Sequence, residues 1–330
     1  MQIAFIFEDH EKKDLMHFLL EIRRNPYADY DAFSAAVDDL ATSGVVPNRF
    51  ADFCESRKEV DLFDDPYVLM ENCPLDPVVP YLDFDEPVLD KRTNKKTFVA
   101  EGFLQLYAIL MDQNPIGYIN VNDGDVFQDI HPKRNLVDTQ SQKALKAINF
   151  HKDLANHYVR PDWVNIIGMR NNRENEIFTC FVSNKDLLAA LDEDTKHVLR
   201  EEEFLTPYDD LTLASNNLAM GEAPKHRILG GATEYDIRFF EKRTIGLTDR
   251  AKTALERLTE TLHKLKEPVF VDAGAFIGSA NNECIHNKEV RNVTSPEDVR
   301  NRWLMKTVNV ASLDKHEQHM MPGSRHIVAG

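Results

Sequence analysis

Apolar and polar positions along the 330-residue chain follow two periods, the 3.6-residue spacing of helices and the two-residue alternation of strands. "QIAFIF" predicts a strand. "DHEKKDLMHFLLEIRR" after it carries Leu15, Phe18, Leu19 and Ile22 on one stripe and predicts a helix capped by an aspartate. "DYDAFSAAVDDLAT" predicts a second helix and "FVAEGFLQLYAILMDQ" a third, more buried one. Between them, residues 61–96 hold five prolines and many acids, a composition that favours turns and short extended pieces and suits a connector or a substrate-covering segment.

The second half is richer in strands. "NPIGYINVNDGDVFQDIHP" contains short β-prone runs, and "DTQSQKALKAINFHKD" predicts a short helix feeding a strand. "DWVNIIGMR" and "NEIFTCFVS", separated by the turn "NNREN", predict a hairpin. "NKDLLAALDEDTKHVLREEEF" predicts one or two helices, and "HRILGGATEYDIRFF" two strands about a Gly-Gly bend. In "TDRAKTALERLTETLHKL", Leu255, Leu258, Leu262 and Leu265 form one stripe behind the cap Thr248. "PVFVDAGAFIG", "NNECIHN" and "RWLMKTVNV" predict the last strands, followed by a polar tail. Strands do not alternate regularly with helices, so an α+β fold with an antiparallel sandwich or barrel is expected. Residues 1–115 are expected to form a helical and irregular portion packing on a core of 116–314, with 315–330 a loose tail, all in one structural domain.

Composition narrows the class. The hydrophobic set is 42%, a globular value, and the formal charge of −16 argues against nucleic acid as a partner. Cys54, Cys73, Cys180 and Cys284 show no CxxC spacing and read as free thiols. No signal-like segment and no run of 18 apolar residues occurs, so no membrane partner is expected and the cytoplasm is the default location.

The candidate chemistry lies in "NFHKDLANHYVRPDW". His151 and Asp153 stand two apart at a strand end, so both can face one ion; as a bare pair they can equally be surface polarity. A two-histidine, one-carboxylate face suits non-haem iron(II) and requires a distant histidine to complete it.

"FHKDLANHYVRPDWVNIIGMR" resembles the first-ligand segment of the clavaminate-synthase-like iron(II)/2-oxoglutarate oxygenases, a subset of the TauD group, and the likeness extends over roughly residues 117–310. The resemblance implies a double-stranded β-helix (jelly-roll) core with flanking helices, iron(II), 2-oxoglutarate as co-substrate, dioxygen, and hydroxylation of a free amino acid such as lysine, arginine or asparagine. It implies His286 in "ECIHNKEV" as third ligand, although the family's Asp-Asn before that histidine and Gly-Arg after it are here Ala280-Asn281 and Asn287-Lys288. It implies an arginine for the distal carboxylate of 2-oxoglutarate: Arg302, in the matching Arg-Trp-Leu, or Arg300, which keeps the family's usual spacing. Related halogenases lack the ligand carboxylate, so Asp153 points to hydroxylation. Asp236 in "EYDIRFF" stands where the family tends to place an acid that reads the substrate side chain, which makes a basic amino acid, lysine first, the expected substrate; a solvated strand acid is the other reading. Arg170 can be structural or meet a substrate carboxylate. A zinc hydrolase with the same ligands and a non-catalytic β-helix protein are the competing readings.

Overall fold

The computed structural model describes residues 1–155, 157–207 and 223–329. In chain order the strands are β1 (Phe5–Ile6), β2 (Tyr67–Glu71), β3 (Asn114–Tyr118), β4 (Gln128–Ile130), β5 (Ile148–His151), β6 (Trp163–Arg170), β7 (Glu176–Ser183), β8 (Phe204–Leu205), β9 (Lys225–His226), β10 (Ile245–Gly246), β11 (Glu267–Val269), β12 (Phe276–Ala280), β13 (Cys284–Asn292), β14 (Trp303–Val310) and β15 (Ile327–Val328). Helices α1 (Asp9–Glu21), α2 (Tyr30–Thr42), α3 (Asn48–Lys58), α4 (Pro87–Asn94) and α5 (Val99–Leu110) precede β3, and α6 (Asn184–Ala190) and α7 (Glu193–Leu199) follow β7. The long helix Asp249–Leu265 and the short helix Pro296–Arg300 complete the α-helices among the described residues.

Two sheets carry the architecture. The larger runs β1-β2-β12-β6-β14-β3-β15, with β4 also pairing β14, and the smaller runs β11-β7-β13-β5. Val164, Ile166, Ile277, Leu304 and Val308 of the first pack against Phe181, Val269 and Cys284 of the second, so the sheets face each other over a shared apolar layer. The outer face of the large sheet, with Ile167, Met169, Phe276, Trp303 and Met305, is covered by α1, α2, α3 and α5 through Leu15, Phe33, Phe50 and Phe103. On the outer face of the small sheet, Phe150, Val182 and Ile285 meet Leu258 and Leu262 of the long helix. Strict alternation along β13 and β14 thus sends one set of side chains inward, between the sheets, and the other outward onto helices.

Several elements differ from the sequence expectation. The run "NNREN" does not close a hairpin: β6 pairs β12 and β14 in one sheet, whereas β7 pairs β11 and β13 in the other. Each strand finds its partners at long range, and Asn175 ties the crossing to Thr294 and Ser295 by side-chain bonds to their backbone. The expected helix before β5 is a series of turns, because the Thr139 and Ser141 hydroxyls bond locally and compete with a helical ladder. The first helix is capped by Glu8 in a capping box with Glu11, not by an aspartate. The tail is not loose, since β15 pairs β3 in parallel. Residues 1–115 contribute β1 and β2 to the large sheet itself, and the proline-rich stretch contains α4. Lys91 on that helix is fully buried against Asp129 at 2.7 Å, and Lys95 just beyond it against Asp76 at 2.8 Å and Glu101 at 2.7 Å. No described helix is long and apolar enough to cross a membrane.

Candidate metal and co-substrate site

His286 of β13 stands directly opposite His151 of β5 in the antiparallel ladder, which brings two residues far apart in sequence to neighbouring inward positions. Their ring centroids are 4.5 Å apart. Asp153 follows β5 after one residue and turns back toward both rings: its Oδ1 lies 3.5 Å from His151 Nε2 and 3.6 Å from His286 Nε2. One donor atom from each of the three lies within 4.8 Å of the others. Cis donors about 2.1 Å from an ion are about 3 Å apart, so small inward movements would close these three on a single first-row metal. Two imidazoles and a carboxylate on one side leave the opposite positions for other ligands, the donor set that suits non-haem iron(II).

The surroundings prepare each donor. His151 Nδ1 bonds the Asn149 carbonyl at 2.7 Å, which places the proton on Nδ1 and the lone pair on Nε2, toward the cluster. Phe240 stacks on the same ring with centroids 5.2 Å apart. Burial and the neighbouring His151 hold the His286 imidazole below its ordinary pKa, and so in the neutral, ligating form. Asp153 is held well below the carboxylate range despite its burial, because Lys306 and the two imidazoles favour the anion. Lys306 reaches inward from β14 and places Nζ 2.8 Å from Asp153 Oδ2, leaving Oδ1 for a metal.

Asn281 supports the turn that carries Asp153. Its amide accepts from Asp153 N–H at 3.1 Å and donates to the carbonyls of Asp153 at 3.0 Å and Pro161 at 2.9 Å. The clamp holds a backbone in which Leu154 adopts φ 52°. Sequence reasoning noted Asn281 only as a departure from a pattern and missed Lys306; a lone lysine in the apolar run "RWLMKTVNV" was the available signal.

The two arginine candidates separate clearly. Arg302 is buried, its Nε has no hydrogen-bond partner, and desolvation pushes its guanidinium down to about 10. No acid among the described residues pairs with it. Arg300 is exposed at the end of its short helix, with its guanidinium 5.9 Å from the Phe84 ring. Arg170 donates to the carbonyls of Val79 at 2.5 Å and Pro80 at 3.1 Å and lies 3.8 Å from the Tyr81 ring centroid, while its Nη1 is buried without a partner. It therefore fastens the proline-rich segment to the end of β6. Asp236 is buried and pairs with Arg160 at 3.0 Å, with Lys152 Nζ 3.7 Å away.

The fold, two facing sheets with paired histidines and an aspartate between them, is similar to solved structures of non-haem iron oxygenases. Asparagine oxygenase, solved with Fe(II), (2S,3S)-3-hydroxyasparagine and succinate, matches with a TM-score of 0.82 over 99% of both chains at 17% identity. The non-haem iron oxygenase OrfP, solved with Fe, succinate and (3S)-hydroxy-L-Arg, matches with a TM-score of 0.80 over 98% of this chain and 99% of its own at 19% identity. In sequence, the chain is similar to L-asparagine oxygenase of Streptomyces coelicolor, 25% identical over 224 residues. It is also similar to clavaminate synthase 2 of Streptomyces clavuligerus, 24% identical over 189 residues. These matches take in 65% and 56% of this chain and span 63% and 55% of the two relatives. No family model matches the chain.

Proposed function

We propose that the protein is an iron(II)/2-oxoglutarate-dependent dioxygenase that hydroxylates an unactivated β or γ C–H bond of a free L-amino acid on a double-stranded β-helix (jelly-roll) core. The observation that carries this reading is the convergence of His151, Asp153 and His286; it is supported by a buried arginine, Arg302, that pairs with no acid among the described residues. A dianionic co-substrate supplies the missing partner, and a fork-shaped guanidinium fits a carboxylate in bidentate fashion.

When bound, iron(II) with 2-oxoglutarate and dioxygen supplies the oxidising chemistry, with succinate and carbon dioxide as by-products. The chain's own residues do the rest. His151 and His286 offer neutral imidazole lone pairs, and Asp153 offers one oxygen while Lys306 occupies the other. Arg302 fixes the distal carboxylate of 2-oxoglutarate and so orients its keto-acid end toward the histidines. The apolar layer between the sheets lowers the local dielectric, which strengthens each of these charge contacts.

The amino acid is the finer part of the proposal. Lysine is the substrate favoured by overall resemblance and by the acid at Asp236, with arginine and neutral amino acids as alternatives; asparagine oxygenase and OrfP are themselves solved with hydroxylated asparagine and arginine. Asp236 already pairs with Arg160, so a cationic side chain that reached it would have to share or displace that partner. The test is incubation of the iron(II)-loaded protein with 2-oxoglutarate and each free amino acid, measuring succinate and a product with one added oxygen. Under anaerobic conditions the iron(II) and 2-oxoglutarate complex should show a weak visible charge-transfer band. Absence of both band and succinate would favour the zinc or non-catalytic reading instead.

A further inference from the structure

We propose that Lys288 is a second cation for the distal carboxylate of 2-oxoglutarate, acting beside Arg302; the inference rests on the oxygenase reading above. On β13, Cys284 packs between the sheets and Ile285 packs against the outer helices, so positions 284, 286 and 288 share the inward face. Lys288 therefore stands one strand repeat beyond His286, about 6.6 Å along the strand, the scale of a five-carbon chain that begins at the metal. The side chain is buried, and Nζ donates to the carbonyls of Ala144 at 2.7 Å and Leu145 at 3.2 Å. An ammonium has three donors, and the third has no partner among the described residues.

The charge count around it is unusual. The charged group that acts on Lys288 is another cation, Arg302, and both side chains are buried. Neither Lys288 nor Arg302 pairs with an acid among the described residues. Two desolvated cations within electrostatic reach of each other cost the fold free energy that a carboxylate between them would recover. An anchoring role alone, holding the turn at Ala144 and Leu145, would be served by a neutral amide without setting a like charge against Arg302. The turn leads into β5 and His151, so the same lysine also ties the co-substrate's far end to the strand that carries the first metal ligand.

The test is calorimetric titration of the iron(II)-loaded protein under anaerobic conditions with 2-oxoglutarate and with 2-oxobutyrate, which lacks the distal carboxylate. Lys288→Met should raise the Kd for 2-oxoglutarate at least tenfold, leave the Kd for 2-oxobutyrate and for iron(II) near wild type, and be largely rescued by Lys288→Arg. Should Lys288→Met fail to fold, Lys288→Gln, whose amide can keep both carbonyl contacts, carries the same comparison. Wild-type affinity for 2-oxoglutarate in the folded neutral variant would overturn the inference, as would equal weakening of both keto acids. Failure of the oxygenase reading looks different, because the wild-type protein would then bind neither keto acid.

Discussion

Replacing Arg302 by methionine should strengthen the empty protein and blunt its response to 2-oxoglutarate. Methionine keeps most of the stem's apolar packing and removes the charge. The guanidinium is buried without an acidic partner among the described residues, and desolvation alone brings its pKa down from its ordinary value to about 10. At 1.36 kcal/mol for each tenfold change in the protonation equilibrium, holding that charge costs about 3 kcal/mol at neutral pH. The sign follows from linkage: the folded state binds this proton less tightly than the unfolded chain, so the penalty is fully present below pH 10 and fades only as the pH rises above about 10. With an unfolding entropy of about 2.1 cal/mol/K per residue, a chain of this length gains about 4 °C in Tm for about 3 kcal/mol. In the presence of 2-oxoglutarate at about 100 times the wild-type Kd, the wild type should gain about 2.7 kcal/mol and the variant about 0.3–1.4 kcal/mol. A charge-assisted bidentate pair is worth about 1.5–3 kcal/mol, so the variant's Kd should rise roughly 10- to 150-fold. Thermal melts of the metal-loaded proteins with and without 2-oxoglutarate should therefore show the variant's lead of about 3 kcal/mol narrowing to about 1 kcal/mol when the ligand is present. Arg300→Met should change neither melt. A variant that is less stable than wild type without ligand, yet still stabilised by 2-oxoglutarate, would refute the argument and return the role to Arg300.

Other perturbations test the metal cluster and its scaffold. His151→Ala and His286→Ala should each leave a folded protein that no longer retains iron(II) on gel filtration and makes no succinate; full activity in His286→Ala would remove it from the ligand set. Asp153→Gly should suppress hydroxylation and leave Lys306 without its partner, and wild-type hydroxylation by this variant would exclude the carboxylate as a ligand. Lys91→Met should destabilise by about 3–5 kcal/mol in denaturant unfolding, because it strands the fully buried Asp129 carboxylate; a loss under about 1 kcal/mol would show that Asn122 and Trp303 suffice for it.

The sequence carried the local part of this structure and the resemblance carried most of the site. Helical stripes gave α1, α2, α5 and the long helix near their observed ends, because their apolar faces are set by residues three and four apart. The misread hairpin shows the limit. A strong turn between two apolar runs predicts local pairing, but β6 and β7 are each flanked on both sides by strands from elsewhere in the chain, and that long-range pairing decides. In the same way, the pair His151 and Asp153 was legible from a two-residue spacing, while the cross-strand register that delivers His286 was not. Lys288 and Lys306 were invisible for a related reason. A lysine in a strand reads as an exposed position, and only the alternation observed between the sheets turns both inward.

The charge distribution around Asp236 sets the terms for the substrate. The chain is acidic overall, yet Lys288, Arg302 and Lys306 are buried cations, and of the three only Lys306 pairs with an acid, Asp153, among the described residues. That excess suits carboxylates, not a cationic side chain, so any selectivity for lysine would have to come from the separate cluster of Asp236, Arg160 and Lys152. There Lys152 is fully buried and burial pushes its ammonium down to about 8, so Asp236 is the group that offsets its cost. Two roles predict different kinetics for Asp236→Asn. If the acid reads a basic side chain, kcat/KM for lysine or arginine should fall at least tenfold against neutral amino acids, with 2-oxoglutarate affinity near normal. If it only neutralises Arg160 and Lys152, the variant should melt earlier and lose activity on every substrate in equal proportion. A panel in which asparagine or another neutral amino acid turns over best, with Asp236→Asn leaving the ranking untouched, would end both the lysine assignment and the reading role of Asp236.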